Sequence, residues 1–302
     1  MRHMMISRRS WQARRVILVV ADGLRPDIIP LLELPTLGRL VRHGASTLHG
    51  RTVRPSVTAA AMASLLTGVE PTVHGLSSSR FTIPRRPVAP LDPLPAVLQS
   101  AGVTTTACMA RLPWAYRRLG TMATRRLGFN HAVFAGDHCD EILAAGRNQL
   151  RRREGLLVMH WPDADVAGHA HGWPSPAYLR AARNIDRCLG ELDALTSASS
   201  DPETVLIVVA DHGGGGTTRR DHDSDHPLNR TIPIILAGGA VHHTTLLPDS
   251  ALVDVPPTIL HALGVPIPAS YSGRALREAF FANQFDRAWH DHVDTVPIAA
   301  AS

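Results

Sequence analysis

The amino-acid sequence predicts one large α/β domain in which helices cover both faces of a mostly parallel central sheet. Short apolar runs rich in β-branched residues alternate with amphipathic or alanine-rich segments of helical length. Two of the apolar runs, residues 16–23 (VILVVADG) and 205–213 (VLIVVADHG), end in a carboxylate. In open α/β sheets the carboxyl ends of the strands are where ligands bind. The two runs therefore predict both a buried sheet and the edge of that sheet that carries chemistry.

The predicted strands are short continuous apolar runs, as expected for strands that are buried on both faces. Their β-branched residues favour a pleated, packed environment. These strands are Val16–Ala21, Val103–Met109, Leu156–His160, Val205–Ala210 and Ile232–Ala237.

The predicted helices carry start and stop signals as well as helical composition. Thr58–Thr67 is rich in alanine, and Gly68 directly after it is a helix-terminating residue. Ser175 precedes Pro176, which gives a capping hydroxyl followed by proline at the first helical position. The four helices predicted in this way are Pro35–His43, Thr58–Thr67, Pro176–Leu195 and Val255–Leu263.

A chain of 302 residues is long enough to bury a large core. We expect residues 1–14 to be a flexible basic tail, 15–280 to be a single catalytic domain and 281–302 to be a C-terminal extension. The segment 77–155 has room for a small cap, and its proline-rich part, 84–95, is predicted to be a surface connection.

The charge balance limits the choice of partners. The formal net charge is +5, and all 31 basic residues are arginine, but 26 carboxylates accompany them. We therefore expect no nucleic acid as a partner, and we expect small anions to be bound, which arginine suits well.

The cysteines and the hydropathy pattern favour a cytoplasmic protein. The three cysteines are odd in number and widely spaced, so no disulfide framework is expected, and a reducing compartment is indicated. No stretch approaches the roughly 20 apolar residues that a membrane span requires. We expect no membrane partner, and no pattern in the sequence indicates an oligomeric state.

Two predicted strands deliver metal-binding side chains at their carboxyl ends. Asp22 follows the first strand, and Asp211 and His212 follow the strand at 205–210. Carboxylate oxygen and imidazole nitrogen are ligands of zinc and of related divalent ions. Because the carboxyl ends of parallel strands share one edge, the sequence predicts a metal site built across neighbouring strands.

Two loops offer further ligands of the same kinds. Asp165 and His169 are four residues apart and can converge on one ion from a turn. The loop after Asp211 contains His222 and His226 among several aspartates, together with a run of glycines that we expect to be flexible.

Thr58 is the candidate nucleophile. A hydroxyl group at a helix N-terminus lies among unpaired backbone N–H groups and at the positive end of the helix dipole. This environment favours an alkoxide and an incoming phosphate oxygen. The same position also suits a plain helix-capping threonine.

Five motifs occur in a characteristic order: VILVVADG, PSVTAAAMASLLTGVEPTVHG, DVAGH, VVADHG, and a histidine followed by RTIPIILAG. In this order they resemble the alkaline phosphatase superfamily, and most closely its type I phosphodiesterase/nucleotide pyrophosphatase family. The tail VDVPPTILHALGVPIPASYSGRAL resembles the closing segment of the superfamily. Each motif is weak alone, but the ordered set is specific and spans about residues 15–276. The resemblance implies an alkaline phosphatase-like fold.

The resemblance also implies two divalent metal ions, with zinc favoured by the Asp/His donor set and manganese or iron as alternatives. One ion would be bound by Asp22, Thr58, Asp211 and His212. The other would be bound by Asp165, His169 and His222. His226 is the alternative to His222, which we favour because its distance to Thr231 matches the family spacing.

Threonine at position 58 is typical of particular branches of this superfamily. Sulfatases have cysteine or serine there in a CxPSR-type motif, whereas alkaline phosphatases and cofactor-independent phosphoglycerate mutases have serine. Threonine suits the phosphodiesterase and phosphonoacetate hydrolase branches. Ala61 departs from the pattern, because these branches often have an asparagine near the nucleophile whose amide contacts a phosphoryl oxygen.

These observations lead to one main functional hypothesis and two alternatives. The main hypothesis is a metal-dependent hydrolase of phosphodiesters or related phosphate esters that acts on a small phosphate-containing substrate through a phosphothreonine intermediate. The first alternative is a phosphonate hydrolase or phosphomonoesterase with the same site. The second is a metal-binding module without turnover, which the departure at Ala61 would suit.

Overall fold

The computed structural model describes residues 12–78 and 86–281. Eight strands form one sheet. The strands are β1 (Arg15–Ala21), β2 (Ala45–Arg51), β3 (Thr105–Met109), β4 (His131–Phe134), β5 (Gly155–Trp161), β6 (Thr204–Val209), β7 (Thr231–Ala237) and β8 (Thr244–Thr245).

The strand order across the sheet is β4-β3-β5-β1-β6-β7-β2-β8. Every neighbouring pair is parallel except β6 with β7 and β7 with β2, so β7 is the one inverted strand among them. The mostly parallel sheet predicted from the sequence is confirmed. The middle strands β1, β5 and β6 are buried along their whole length, which explains their continuous apolar composition.

Ten helices accompany the sheet in the described residues. They are α1 (Pro35–His43), α2 (Thr58–Thr67), α3 (Pro71–His74), α4 (Leu94–Ser100), α5 (Trp114–Arg126), α6 (Cys139–Leu150), α7 (Asp163–His171), α8 (Pro176–Thr196), α9 (Pro227–Arg230) and α10 (Val255–Ala262). Contacts between helices define two groups, one of α1, α6, α7 and α8 and the other of α2, α4 and α10. This grouping agrees with a helical layer on each face of the sheet.

All nine predicted strands and helices are present, with bounds that differ by at most two residues. The predicted signals act as expected. Ser175 accepts a hydrogen bond from the Tyr178 N–H at the start of α8, and Gly68 ends α2 with a left-handed φ of 68°.

Several elements have no clear signal in the sequence. The strands β2 and β4 and the helices α5 and α6 were not predicted, because their polar residues blur the expected periodicity. The segment 77–155, where we expected room for a small cap, supplies β3, β4 and α6 to the sheet and its covering layer. The predicted surface connection at 84–95 is shorter than expected, since α4 begins at Leu94.

The domain begins slightly earlier than the sequence suggested. Ala13 is buried, and its N–H donates to the carbonyl of Ala262 at 2.7 Å, while the Arg14 N–H donates to Glu203. Residues 13 and 14 are therefore part of the domain rather than of the expected tail. The remainder of that tail up to residue 11, and residues 282–302 of the expected C-terminal extension, lie outside the described residues.

Helix α1 is capped by a carboxylate from another helix. Leu34, at its N-cap, has no polar side chain, and the buried Asp186 of α8 accepts hydrogen bonds from the N–H groups of Thr36 and Leu37 at 3.2 and 2.6 Å. These two N–H groups would otherwise be buried without a partner.

The variant Asp186→Ala should lower the free energy of unfolding by about 1–3 kcal/mol, because it leaves two buried N–H donors unsatisfied. Asp186→Asn retains one acceptor oxygen and should cost less. Urea denaturation measures both values. Asp249→Ala, at an exposed aspartate, is the control and should stay within about 0.5 kcal/mol of wild type. Equal effects of the alanine substitutions at 186 and 249 would contradict the capping role.

Candidate active site

The candidate site lies at the carboxyl edge of the sheet, where three central strands end. Asp22 follows β1, and Asp211 and His212 follow β6. Asp165 and His169 lie on α7, which begins just after β5. Since β5, β1 and β6 are neighbours, the sheet itself brings these side chains together.

Asp22, Asp211, His212 and Thr58 form one cluster, here called cluster 1. The Nε2 atom of His212 is 3.3 Å from Asp22 Oδ1, 3.6 Å from Asp211 Oδ2 and 3.1 Å from Thr58 Oγ1. Both carboxyl groups and the imidazole are buried. The geometry brings together all four residues that the sequence assigned to one ion.

Asp165, His169 and His222 form the neighbouring cluster 2. Asp165 Oδ1 is 3.5 Å from His169 Nε2 and 3.6 Å from His222 Nε2, and the two Nε2 atoms are 3.1 Å apart. Asp165 and His169 extend from one face of α7 rather than from the turn that we expected, because residues four apart face the same side of a helix. The ring of His222 stacks on that of His212 with a centroid distance of 3.8 Å, so the two clusters adjoin.

The hydrogen bonds of the three histidines determine which ring nitrogen has a free lone pair. Nδ1 of His169 lies 2.9 Å from the carbonyl of Arg220, and Nδ1 of His212 lies 2.8 Å from that of Gly213. Nδ1 of His222 lies 2.7 Å from the carbonyl of Ser56. A carbonyl only accepts hydrogen bonds, so in each neutral ring Nδ1 carries the proton and Nε2 presents its lone pair to the cluster.

The carboxylates present lone pairs to the same space. Asp22 Oδ1, Asp165 Oδ1 and Asp211 Oδ2 are buried, and no hydrogen-bond donor among the described residues satisfies them. Three carboxylate oxygens and three imidazole nitrogens therefore converge on one site. The lone pairs of such an arrangement repel one another unless protons or cations balance them.

The spacing of the donor atoms fits tetrahedral coordination. Ligand atoms about 2.0–2.1 Å from a tetrahedral zinc ion are about 3.3 Å from one another. The six donor–donor distances given above run from 3.1 to 3.6 Å. Cluster 1 and cluster 2 could each hold one divalent ion.

Burial strongly perturbs the titration of these groups. Burial, with the charges of Asp211 and Asp165, raises the pKa of Asp22 well above its ordinary value. Burial also lowers the pKa of His222, assisted by the neighbouring His212, and burial lowers that of His160. Neutral imidazoles are the form that binds metals.

Trp173 packs against His169 of cluster 2 and against the glycine loop after His212. Its indole N–H donates to the Gly23 carbonyl at 3.0 Å, and its ring meets that of His169 edge-on at 5.4 Å. A Cβ atom at Gly168 or at Gly214 would lie within 2.3 Å of the indole, so only glycine fits at either position. The glycine loop after His212, which we expected to be flexible, is therefore held tightly against Trp173.

Thr58 is the first residue of α2 and opens into a cleft of about 770 Å³. A volume of this size is within the range of small-molecule sites. The cleft is lined by members of cluster 2 and by His160, and also by the apolar side chains of Pro55, Val57, Met62 and Met109. Polar candidate ligands and apolar side chains thus both line the cleft into which Thr58 opens.

Other residues that we considered have different partners. His226, the alternative to His222, accepts the Leu228 N–H at the N-cap of α9. The carboxylate of Asp163 accepts the Cys139 N–H at the start of α6. The guanidinium of Arg25 pairs with Asp27 and does not point into the cleft. His160, which gave only a weak signal, has Nε2 3.2 Å from Asp22 Oδ2.

Ala61 is fully buried in α2 and does not line the cleft. An asparagine at this position would face the core. The N–H groups of the first turn of α2 remain as potential phosphate contacts next to Thr58.

The family model of type I phosphodiesterase / nucleotide pyrophosphatase matches residues 16–244. This range includes both clusters and Thr58. The curated relatives are 2,3-bisphosphoglycerate-independent phosphoglycerate mutases, for example that of Synechococcus sp. with 31% identity over 132 residues and that of Trichodesmium erythraeum with 30% over 151 residues. These matches cover 42% and 47% of the chain but only 24% and 27% of the relatives. The chain thus spans about a quarter of their length.

Solved structures share the fold at low sequence identity. Human ectonucleotide pyrophosphatase/phosphodiesterase 5 matches with a TM-score of 0.69 and 16% identity, covering 88% of this chain and 99% of the other. Its murine counterpart, an inactive threonine-to-alanine variant in complex with AMP, has a TM-score of 0.67 and 14% identity, covering 89% and 100%. A phosphonate monoester hydrolase from Silicibacter pomeroyi has a TM-score of 0.64 and 18% identity, covering 87% and 76%. The alkaline phosphatase-like fold expected from the sequence is confirmed.

In the metal-free protein, Asp22→Asn should raise the free energy of unfolding at neutral pH. The pKa of Asp22 is raised on folding, so its contribution to stability is present below about pH 4 and is lost as the pH rises through the folded-state value. The gain should increase as the pH rises from the ordinary pKa of an aspartate toward the raised folded-state value. Urea denaturation in EDTA across this pH range measures the gain.

When a divalent ion is added, Asp22→Asn should instead lower the free energy of unfolding relative to wild type, because the ion stabilises only a native state that retains its ligands. Asp249→Asn, at an exposed carboxylate, should show neither effect. Metal-free Asp22→Asn protein less stable than wild type at every pH would contradict this account of the cluster.

Proposed function

This chain belongs to the type I phosphodiesterase/nucleotide pyrophosphatase family, and we propose that it is a metal-dependent phosphoric ester hydrolase acting on phosphodiesters or related esters. The convergence of three carboxylate oxygens and three imidazole nitrogens beside the hydroxyl of Thr58 carries this proposal. Such an arrangement fits two divalent ions next to a nucleophile.

We propose that cluster 1 and cluster 2 each bind one divalent ion, and that zinc is the ion that suits the donors best. Cluster 2 offers two imidazoles and one carboxylate, and cluster 1 offers one imidazole, two carboxylates and a hydroxyl. Zinc binds imidazole nitrogen, a borderline donor, and carboxylate oxygen, a hard donor. When bound, the two ions would lower the pKa of a coordinated hydroxyl group and neutralise charge on the attacking and leaving oxygens.

Thr58 is the proposed nucleophile. Its Oγ1 atom forms a bond to phosphorus while the bond from phosphorus to the leaving oxygen breaks, and the leaving oxygen takes up a proton and departs as an alcohol. The phosphothreonine formed from a phosphodiester keeps the second ester substituent. A water molecule then breaks the bond from Oγ1 to phosphorus, which regenerates the hydroxyl and releases a phosphate monoester. The unpaired N–H groups and the positive dipole end of α2 favour the negative phosphoryl oxygens throughout.

The remaining residues of the site position the reacting groups. The carbonyls of Ser56, Gly213 and Arg220 orient the three imidazoles through their Nδ1 protons. The apolar side chains that line the cleft, among them Met62 and Met109, offer a place for the leaving group of the ester. The murine structural neighbour in complex with AMP supports a small phosphate-containing substrate for a fold of this kind.

Hydrolysis of phosphonates or phosphomonoesters at the same site is the second candidate. The fold is shared with a phosphonate monoester hydrolase. The ratio of kcat/KM for bis(p-nitrophenyl) phosphate, p-nitrophenyl phosphate and phosphonoacetate distinguishes the candidates. Absence of turnover on every substrate with both ions bound would support a non-catalytic metal-binding module.

Thr58→Ala should lower kcat for bis(p-nitrophenyl) phosphate by at least about 1000-fold, because it removes the attacking oxygen. Thr58→Ser should retain most of the activity. Rapid acid quenching followed by mass spectrometry should detect phosphorylated Thr58 peptide in the wild type. An alanine variant that turns over at the wild-type rate would exclude the covalent route.

Purified protein should contain about two divalent ions per chain by elemental analysis, and chelation should abolish hydrolysis. His222→Ala should lower the content to about one ion, because cluster 2 loses one of its three ligands. His226→Ala is the matched control, since His226 caps α9, and it should retain both ions. Equal metal loss in the two variants would contradict the assignment of His222.

A further inference from the structure

Helix α5 is almost entirely exposed. Thr124 is the only one of its 13 residues that is buried. The helix rests on the edge of the sheet at Gly120, where a Cβ atom would lie 2.2 Å from Leu112 and 3.5 Å from Phe134. So small a contact leaves most of the surface of α5 exposed.

The outer side of α5 is apolar. Trp114 is 85% exposed, Leu119 63% and Met122 45%. With Tyr116, this one helix holds four of the nine large hydrophobic side chains that are exposed in the described residues. Isolated exposed hydrophobic residues are ordinary, but a cluster on one helix marks an interaction surface.

The same side of α5 is basic. The helix contains four arginines and no acidic residue. Arg118, Arg125 and Arg126 form no ion pair within residues 12–78 and 86–281. Positions 114, 118, 119, 122, 125 and 126 recur at intervals of three and four, so the apolar and basic side chains share one face. We call this face the α5 surface.

Helix α5 connects the two edges of the sheet. It follows β3, which ends at Met109 beside the cleft, and its C-terminal end lies near the start of β3, where Thr105 Oγ1 donates to the Gly128 carbonyl at 3.2 Å. The α5 surface therefore begins near the candidate active site and extends away from it.

We propose that the α5 surface docks the protein onto an anionic lipid bilayer. A helix with tryptophan and aliphatic residues on one face and arginines beside them lies in the membrane interface, with the apolar residues among the acyl chains and the arginines at the anionic headgroups. Among the described residues, no helix is long and apolar enough to cross a bilayer. Surface docking needs no such helix, so it replaces our expectation of no membrane partner.

The charge and shape of the α5 surface favour a bilayer over two other occupants. A second copy paired through the same surface would bring six arginines together without acidic partners on α5. A single-stranded nucleic acid would need a groove with stacking platforms, whereas α5 is convex and presents leucine and methionine. A bilayer accommodates both the aliphatic residues and the positive charge.

Sedimentation with vesicles tests the proposal on the whole chain, independently of any hydrolytic activity. We expect binding to vesicles of equal parts phosphatidylcholine and phosphatidylglycerol, and weaker binding to phosphatidylcholine alone. The triple variant Arg118→Gln, Arg125→Gln, Arg126→Gln should lose about tenfold or more in affinity for the anionic vesicles. Leu119→Gln with Met122→Gln should show a similar loss.

Matched variants outside α5 are the controls. Arg151, Arg152 and Arg153, exposed before β5, are replaced by glutamine together, and Leu195→Gln, near the end of α8, matches the apolar change. All variants should keep the wild-type melting temperature and the wild-type rate on a soluble ester. A wild type that hydrolyses no ester but binds anionic vesicles would refute only the proposed function.

Three outcomes would overturn the docking proposal. The first concerns vesicle binding itself: either the wild type does not bind anionic vesicles, or the α5 variants and the control variants lose equal affinity for them. Another is tighter binding to a single-stranded oligonucleotide than to vesicles. The third is a dimer in analytical ultracentrifugation that the α5 variants abolish.

Discussion

Six lone pairs that point into one buried space are the constraint on which the rest of this structure depends. Three histidines face that space with Nε2 because backbone carbonyls hold their Nδ1 protons, and three carboxylate oxygens face it without donors. In the low dielectric of a protein interior such an assembly is costly unless cations balance it. The fold must therefore hold the donors apart at coordination distances against their mutual repulsion, and the surrounding structure does this with backbone contacts rather than with flexible side chains.

The two clusters are joined through the main chain. The Asp165 N–H donates to the Asp22 carbonyl at 3.0 Å, which ties the start of α7 to the end of β1. Gly23 makes this approach feasible, because its φ is 69° and a Cβ atom there would lie 2.9 Å from the Cα of Asp165. Trp173 closes the site beneath, donating to the Gly23 carbonyl. A displacement in either cluster is thus transmitted to the other, as expected of two ions that act on one substrate.

The two edges of the sheet differ in what they do. The carboxyl edge carries both clusters and the cleft beside Thr58. At the amino edge, charged side chains stabilise the fold. The guanidinium of the buried Arg15, for example, donates to the carbonyls of Leu150, Arg152 and Thr196. This separation follows from parallel strands, which place all their carboxyl ends, with the loops that follow them, on one side.

The sequence by itself determined the buried strands, the helix α2 and the ligand types, because these follow from local patterns. Apolar runs ending in Asp22 and Asp211 predict strand and site together, and the order of motifs identifies the family. Only the tertiary structure places His222 beside Asp165 and His169, and His226 at the start of α9. Both residues lie in one polar loop, and the position of each ring depends on its partners, such as the distant carbonyl of Ser56. The tertiary structure alone revealed Trp173 as the support of the site and Asp186 as the cap of α1. The surface of α5 also emerged only there, since burial and the partners of a side chain depend on residues far away in the chain.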